Sequence, residues 1–313
     1  MLQPNRAGRV AEAFDLGGDA VLVGPVATGR LGRIWRLTTD RGRYAVKDSS
    51  LPVDPAAVAR DAAYQDVVRA SGVAMPAVVR SPGGEVLADV DGPVRAYAWV
   101  DLLPATRRLD PLAVGRLLAR IHRVAVPTTE PLDGWYVEPV GAAAWEELVG
   151  RLAAAGAPFA RRLAALLPEV LAAEALLAAP TDVQLCHRDL WADNLLRTSA
   201  GELVVLDWEN AGPGSPAQEL ALAMVEFGCG EPDRMRALHD AYVDAGGPGR
   251  LTGPHDLTMV IAQTGHIART GCERWLAARD GAARADNAAW VAEYLDEPPT
   301  TGVVEAVLRA AGA

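Results

Sequence analysis

Cys186-His187-Arg188-Asp189-Leu190-Trp191-Ala192-Asp193-Asn194, followed after a short interval by Leu203-Val204-Val205-Leu206-Asp207, is the stretch on which the fold turns. Residues 183–186, 195–197 and 203–206 are short apolar runs of strand length, and Ser199-Ala200-Gly201 supplies a turn between the last two. An Asp and an Asn five residues apart on a tight loop, with a second Asp ending the next strand of a hairpin, are expected to converge on one point. That donor set suits phosphoryl transfer with magnesium. One carboxylate, Asp189, accepts or orients the proton of an attacking hydroxyl, while the amide oxygen of Asn194 and the carboxylate of Asp207 hold hard Mg²⁺ ions that bridge nucleotide phosphates.

Upstream of this stretch the first hundred residues read as strands around one helix. Residues 21–28, 32–40 and 43–49 are rich in Val, Ile, Trp and Tyr, and Asp40-Arg41-Gly42 is good turn chemistry, so an antiparallel meander is expected. Asp54-Pro55 reads as an N-cap and first helical position, and the Ala-rich run to Ala70 ends at Ser71-Gly72. Residues 78–80, 85–90 and 94–100 resume the strand pattern. Beyond Asp101 the texture is helical. Asp110-Pro111 opens a helix with Leu112, Leu117, Leu118 and Ile121 on one face, and residues 141–179 read as two or three helices with breaks near Gly156-Ala157-Pro158 and Pro168. From Gln218 onward the pattern is helical again.

Composition bounds the rest. The chain has 313 residues, against a soft prior of roughly 150 per domain, so two domains or lobes are expected. A formal charge of −10 argues against binding to a nucleic-acid backbone. No run reaches the roughly 18 apolar residues of a membrane helix, and the first residues lack the apolar core of a signal peptide, which leads us to expect a cytoplasmic protein. The cysteines, Cys186, Cys229 and Cys272, lie too far apart for zinc-ligand spacing. The charge is unevenly spread: residues 1–100 hold 12 basic and 11 acidic side chains, a balance of +1, and residues 101–313 hold 18 and 29, a balance of −11. Of the 30 basic residues only Lys47 is a lysine.

His187-Arg188-Asp189 through Asn194, with Asp207-Trp208-Glu209 standing where protein kinases carry Asp-Phe-Gly, resembles the aminoglycoside phosphotransferases and related small-molecule kinases. Residues 206–216 look particularly like the antibiotic-kinase branch, and no long activation segment or Ala-Pro-Glu element follows, which points away from protein substrates. The resemblance implies a bilobal, protein-kinase-like α+β fold, with an antiparallel β-rich N-lobe over 1–99 and a mainly helical C-lobe over 100–313. It implies Asp189 as catalytic base, Asn194 and Asp207 as Mg²⁺ ligands, and ATP or GTP as phosphoryl donor. Lys47, in Tyr44-Ala45-Val46-Lys47, matches the strand lysine that contacts the α- and β-phosphates, a place where a compact ammonium serves as a point charge and a guanidinium fork does not. The family usually pairs this lysine with a helix Glu. None is present here, and Asp61 is the expected substitute, ahead of Asp66. Gly24, Gly29 and Gly32 would form the loose nucleotide loop, and the backbone of Trp99, Val100 and Asp101 would meet the nucleobase edge.

Around these residues, His187 and Glu219 read as structural, and Arg188 as a loop or surface ion-pairing residue. The acidic second half fits a small, hydroxylated, cationic acceptor, with Glu226, Glu231, Asp233, Glu273 and Asp280 as candidate contacts. Three functional readings follow: an antibiotic-modifying kinase, a metabolic kinase acting on an amino alcohol, sugar or biosynthetic intermediate, and a kinase-like nucleotide-binding protein without turnover.

Overall fold

The computed structural model describes residues 4–28, 32–49 and 53–313. The chain begins with α1 (Pro4–Ala13), β1 (Val21–Thr28), β2 (Gly32–Thr39), β3 (Gly42–Ser49), α2 (Pro55–Ala70), β4 (Val78–Val79), β5 (Ala88–Asp89) and β6 (Pro93–Ala98). It continues through α3 (Pro111–His122), α4 (Gly134–Val137), α5 (Ala142–Ala154), α6 (Ala160–Glu174), β7 (Gln184–Cys186), β8 (Leu195–Arg197), β9 (Leu203–Val205) and β10 (Gly212–Gly214). Helices α7 (Pro216–Gly228), α8 (Pro232–Asp244), α9 (Thr258–Ala277), α10 (Gly281–Asp296) and α11 (Thr301–Ala311) complete it. The expected α+β class is what forms, with an antiparallel sheet in the N-terminal part and helices in the C-terminal part. Among the described residues no helix is long and apolar enough to cross a membrane.

The chain divides into two compact units, Met1–Thr106 with Ala192–Ala211, and Arg107–Trp191 with Gly212–Ala313. This differs from a single cut after residue 99. The β8–β9 hairpin joins the first unit because the Val205 N–H donates to the Ala74 carbonyl at 3.0 Å and the Leu103 N–H to the Arg197 carbonyl at 2.9 Å. Tyr64 of α2 also meets Trp208 edge-on at 5.7 Å.

In the first unit the sheet order is β1-β2-β3-β6-β4, with β5 pairing β6 off that path. Register sets Lys47 on β3 opposite Ile34 on one side and Arg95 on the other. Strand alternation gives β3 two different faces. Val46, with Trp35, Leu37, Val94 and Ala96, packs under α1 through Ala7, Val10, Ala11 and Phe14. This helix is not among those expected from the sequence, although positions 7, 10, 11 and 14 carry the helical spacing. Asp48 shares the α1 face, where the buried Arg6 guanidinium grips its carboxylate and the Trp35 indole N–H donates to it at 2.7 Å. Lys47, between Val46 and Asp48, is left for the opposite face.

In the second unit, α6 runs through Pro168 where a break was expected. Leu163, Val170 and Ala173 lie buried on both sides of it, and the first two join the cluster of Trp145, Leu152 and Phe159. That packing offsets the roughly 3 kcal/mol a mid-helix proline costs. Two buried carboxylates organise the backbone. Glu174, at the end of α6, accepts from the Val140 and Gly141 N–H groups at 3.1 and 3.0 Å and from the Trp145 indole at 2.9 Å. Glu219, in the first turn of α7, has no exposed surface. It accepts from the His187 N–H at 3.3 Å and from the Arg188 N–H, and it lies 2.7 Å from His122 Nε2. His122 Nδ1 in turn meets the Tyr242 hydroxyl at 2.8 Å.

Burial would raise the Glu219 carboxyl, but the His122 hydrogen bond and charge, His187 and the Arg188 N–H outweigh it and hold the group below its ordinary value. A depressed folded-state value means that the stabilisation is present above the unfolded-state value and is lost as pH falls through the folded one. Glu219→Ala leaves two backbone donors and His122 without their acceptor, and we expect a loss of about 3 kcal/mol in denaturant unfolding at neutral pH. The deficit relative to the parent should shrink on acidification, and an unchanged unfolding midpoint at neutral pH contradicts this account.

Candidate functional site

In the first unit the lone lysine is held between two carboxylates. Lys47 Nζ lies 2.9 Å from Asp207 Oδ1 and 2.9 Å from Glu209 Oε2, and its side chain is 14% exposed. Burial acts to lower its pKa, but Asp207 and then Glu209 overcome that and raise it, so the ammonium stays charged. The carboxylate expected from α2 goes elsewhere. Asp61 Oδ2 lies 3.7 Å from Arg95 Nη2, and Arg95 Nη1 lies 3.4 Å from Glu209 Oε1, so the correction to the sequence reading is that Asp61 pairs with Arg95. The reason is reach. Asp is one methylene shorter than the usual Glu, and the long planar guanidinium opposite Lys47 spans the gap to it. Lys47, Ser49, Arg95 and Glu209 help to line a cavity of about 30 Å³.

The hairpin brings Asn194 and Asp207 to one end of β8 and β9. Leu195 pairs with Val205, and the Leu206 N–H donates to the Asn194 carbonyl at 2.8 Å, leaving Asp207 as the next residue. Asp207 adopts a left-handed backbone, φ 52°, uncommon for a residue with a Cβ, and the chain turns there into the 3₁₀ turn Trp208–Asn210. Its side chain is 37% exposed. The Asp207 carboxylate and the Asn194 amide offer hard oxygen donors, the chemistry Mg²⁺ takes, so the residues present fit such an ion.

In the second unit Asp189 stands on a loop fixed from behind. The His187 ring accepts the Asp189 N–H through Nδ1 at 3.2 Å, and Arg188 takes a left-handed φ of 64°. Gln263 of α9 donates through Nε2 to Asp189 Oδ1 and to the Arg188 carbonyl, both at 3.2 Å. Arg188 lies on this loop, as expected, but not at the surface. It is buried, its guanidinium 4.2 Å over the Tyr136 ring and bonded to the Pro213 carbonyl at 3.3 Å. A Cβ at Gly212 would come within 2.4 Å of that guanidinium, in β10, a Gly-Pro-Gly strand that no propensity would suggest.

The other anticipated positions divide. Gly24, at φ 134°, sits in a conformation that disfavours side chains, and a Cβ at Gly32 would meet the Asp48 carbonyl at 2.3 Å, so backbone geometry alone requires both glycines. Gly29 lies outside the described residues. The Trp99 N–H extends the β3–β6 ladder to the Arg43 carbonyl at 3.1 Å, so that donor is already used. The Asp101 carboxylate receives Arg43 at 2.8 Å and the Trp99 indole N–H at 2.8 Å, and Arg43 first, then Trp99, lower its pKa. Four of the five acidic candidates are occupied in the structure itself. Glu226 pairs with Arg107 at 3.1 Å, Glu231 with Arg108 at 2.6 Å and Glu273 with Arg269 at 2.9 Å. Asp280 caps α10 through the Ala283 N–H, and Asp233 lies in the first turn of α8. Glu209, Arg95 and Gln263 also belong here but give no local signal in the sequence, because their partners are distant in the chain.

The fold has close counterparts among solved structures. A spectinomycin phosphotransferase in complex with ADP and spectinomycin is similar at a TM-score of 0.70 and 16% identity, over 98% of this chain and 99% of that one. An aminoglycoside phosphotransferase from Alicyclobacillus acidocaldarius gives 0.63 at 18% identity, over 100% and 96%. A microcompartment-associated aminopropanol kinase gives 0.60 at 16%, over 99% of both chains. At these identities the likeness is one of fold, which is thereby the kinase-like fold of these enzymes. No sequence among the curated proteins matches. The profile of the phosphotransferase enzyme family matches residues 23–254. Spanning well over half of the sequence, that match makes this chain a member of the phosphotransferase enzyme family.

Proposed function

We propose that the chain is a Mg²⁺-dependent kinase that transfers the γ-phosphoryl of ATP, or of GTP, to a hydroxyl of a small molecule. The observation that carries this reading is the Lys47 ammonium held 2.9 Å from Asp207 beside a hairpin end that also bears Asn194. Lys47 contacts the phosphates as a point charge, and the first unit, with Gly24, Gly32 and the backbone of Val100 and Asp101, handles the nucleotide. Asn194 and Asp207 hold the metal ion, which when bound neutralises charge on the phosphate oxygens. Asp189, oriented by His187 and Gln263, takes the proton of the acceptor hydroxyl. The hydroxyl oxygen bonds to the γ-phosphorus, the bond from that phosphorus to the β–γ bridging oxygen breaks, and ADP leaves with the electron pair.

For the acceptor we propose a cationic, hydroxylated compound such as an aminoglycoside or a related antibiotic. The balance of −11 over residues 101–313 supports this through its long-range attraction for cations. The occupation of Glu226, Glu231, Glu273 and Asp280 by partners within the unit favours a second reading, a neutral or singly charged metabolite such as an amino alcohol or sugar. Mg-ATP consumption against a panel of hydroxylated amines, sugars and antibiotics, with products identified by mass, separates the two; consumption with none of them contradicts the kinase reading.

Asp189→Ala is expected to lower kcat by about 10²- to 10⁴-fold while nucleotide affinity stays within error, and unchanged turnover would remove Asp189 from the mechanism. Lys47→Arg keeps the charge but replaces a compact ammonium by a fork. We expect KM for ATP to rise about tenfold, equivalent to roughly 1.4 kcal/mol, in steady-state kinetics, and parental kinetics would show that no point charge is needed.

A further inference from the structure

We propose that Arg95 is a positioning residue for nucleotide binding: by holding one oxygen of Glu209 it keeps that carboxylate from closing wholly on Lys47, and so leaves the ammonium available to phosphate. The inference rests on Lys47 being the phosphate contact.

The geometry begins with register. Lys47 and Arg95 are directly paired on β3 and β6, so both side chains leave the same face of the sheet from backbones one strand spacing, about 5 Å, apart. Two cations on neighbouring positions of one face are eased by a shared anion. Glu209 supplies it, with Oε2 at 2.9 Å from Lys47 and Oε1 at 3.4 Å from Arg95. Arg95 is itself divided, since its other terminal nitrogen lies 3.7 Å from Asp61. The order of charges is therefore Asp61, Arg95, Glu209, Lys47, Asp207, three carboxylates alternating with two cations. Both cation side chains are largely buried, at 11% and 14% exposed, where such contacts are poorly screened. A phosphate that is to engage Lys47 must compete with Glu209 for it. How strongly Glu209 competes depends on how much of its charge Arg95 already satisfies, and that in turn depends on Asp61.

This ordering makes opposite predictions for neighbouring residues, which a purely structural role for the cluster would not. Binding of Mg²⁺ with the non-hydrolysable ATP analogue AMP-PNP is measured by titration calorimetry on the full chain. Arg95→Met removes one cation from Glu209, and we expect affinity to fall about tenfold as the carboxylate turns to Lys47. Adding Glu209→Gln to that variant is expected to restore affinity to within about threefold of the parent. Asp61→Asn leaves Glu209 as the one carboxylate beside Arg95, which also bonds Tyr97, and is expected to tighten binding, by up to about threefold. Arg95→Lys, which can still hold Glu209, should bind within about threefold of the parent and serves if Arg95→Met does not fold. Weaker binding in Asp61→Asn, parental binding in Arg95→Met, or no rescue by Glu209→Gln each overturns the proposal. A parent protein that binds no AMP-PNP overturns the Lys47 assignment beneath it, a failure visible before any variant is made.

Discussion

A carboxylate with no exposed surface constrains everything around it. Glu219 is tolerated in the second unit only because donors from separate segments converge on it, and once α7 fixes its place those segments lose their freedom. His122 must present Nε2 from the end of α3. The loop after β7 must aim two consecutive N–H groups inward, which goes with the left-handed turn at Arg188. The His187 ring and Gln263 then settle the Asp189 orientation. The Arg188 side chain, displaced by the same turn, finds Tyr136 and a strand stripped to Gly-Pro-Gly. The orientation of Asp189 thus depends on a carboxylate buried behind its loop.

The same economy explains the acidity of the second half. Glu174 and Glu219 gather backbone N–H groups, Glu226, Glu231 and Glu273 hold arginines, and Asp280 starts a helix. Many of these carboxylates are engaged at short range while the summed charge of −11 remains. Attraction of a cation from a distance and recognition of it in contact are therefore separate properties of this chain, and the first does not supply the second.

Local chemistry made much of the architecture legible. The three strands of the meander, the Asp54-Pro55 helix start and the hairpin turn at Ser199-Ala200-Gly201 all depend on residues near one another in sequence, and β1, β2, β3, α2, β8 and β9 lie within a residue or so of where those signals put them. The segments that were missed are decided by tertiary contact. Helix α1 exists to cover Trp35 and Leu37, and its charged residues obscured the apolar positions at 7, 10, 11 and 14. The Gly-Pro-Gly strand forms by pairing with β7, with Gly212 against the Arg188 guanidinium, and α6 persists through Pro168 because its flanks are packed. Within the site, Lys47, Asn194 and Asp207 belong to a motif and could be read from it. Arg95 sat unremarked in a strand because its meaning comes from facing Lys47 across one ladder and Asp61 on α2, relations that only the folded sheet creates.

The cation between Asp207 and Glu209 is also the chain's sole lysine, which gives the molecule an unusual covalent chemistry. Apart from the α-amino group, an acylating or sulfonylating reagent has a single amine to attack. That amine is protonated and clamped by two carboxylates, a state with no lone pair to offer. Its nucleophilicity therefore reports directly on the ion pairs around it, and any event that loosens them turns one side chain into a unique chemical handle on the whole protein.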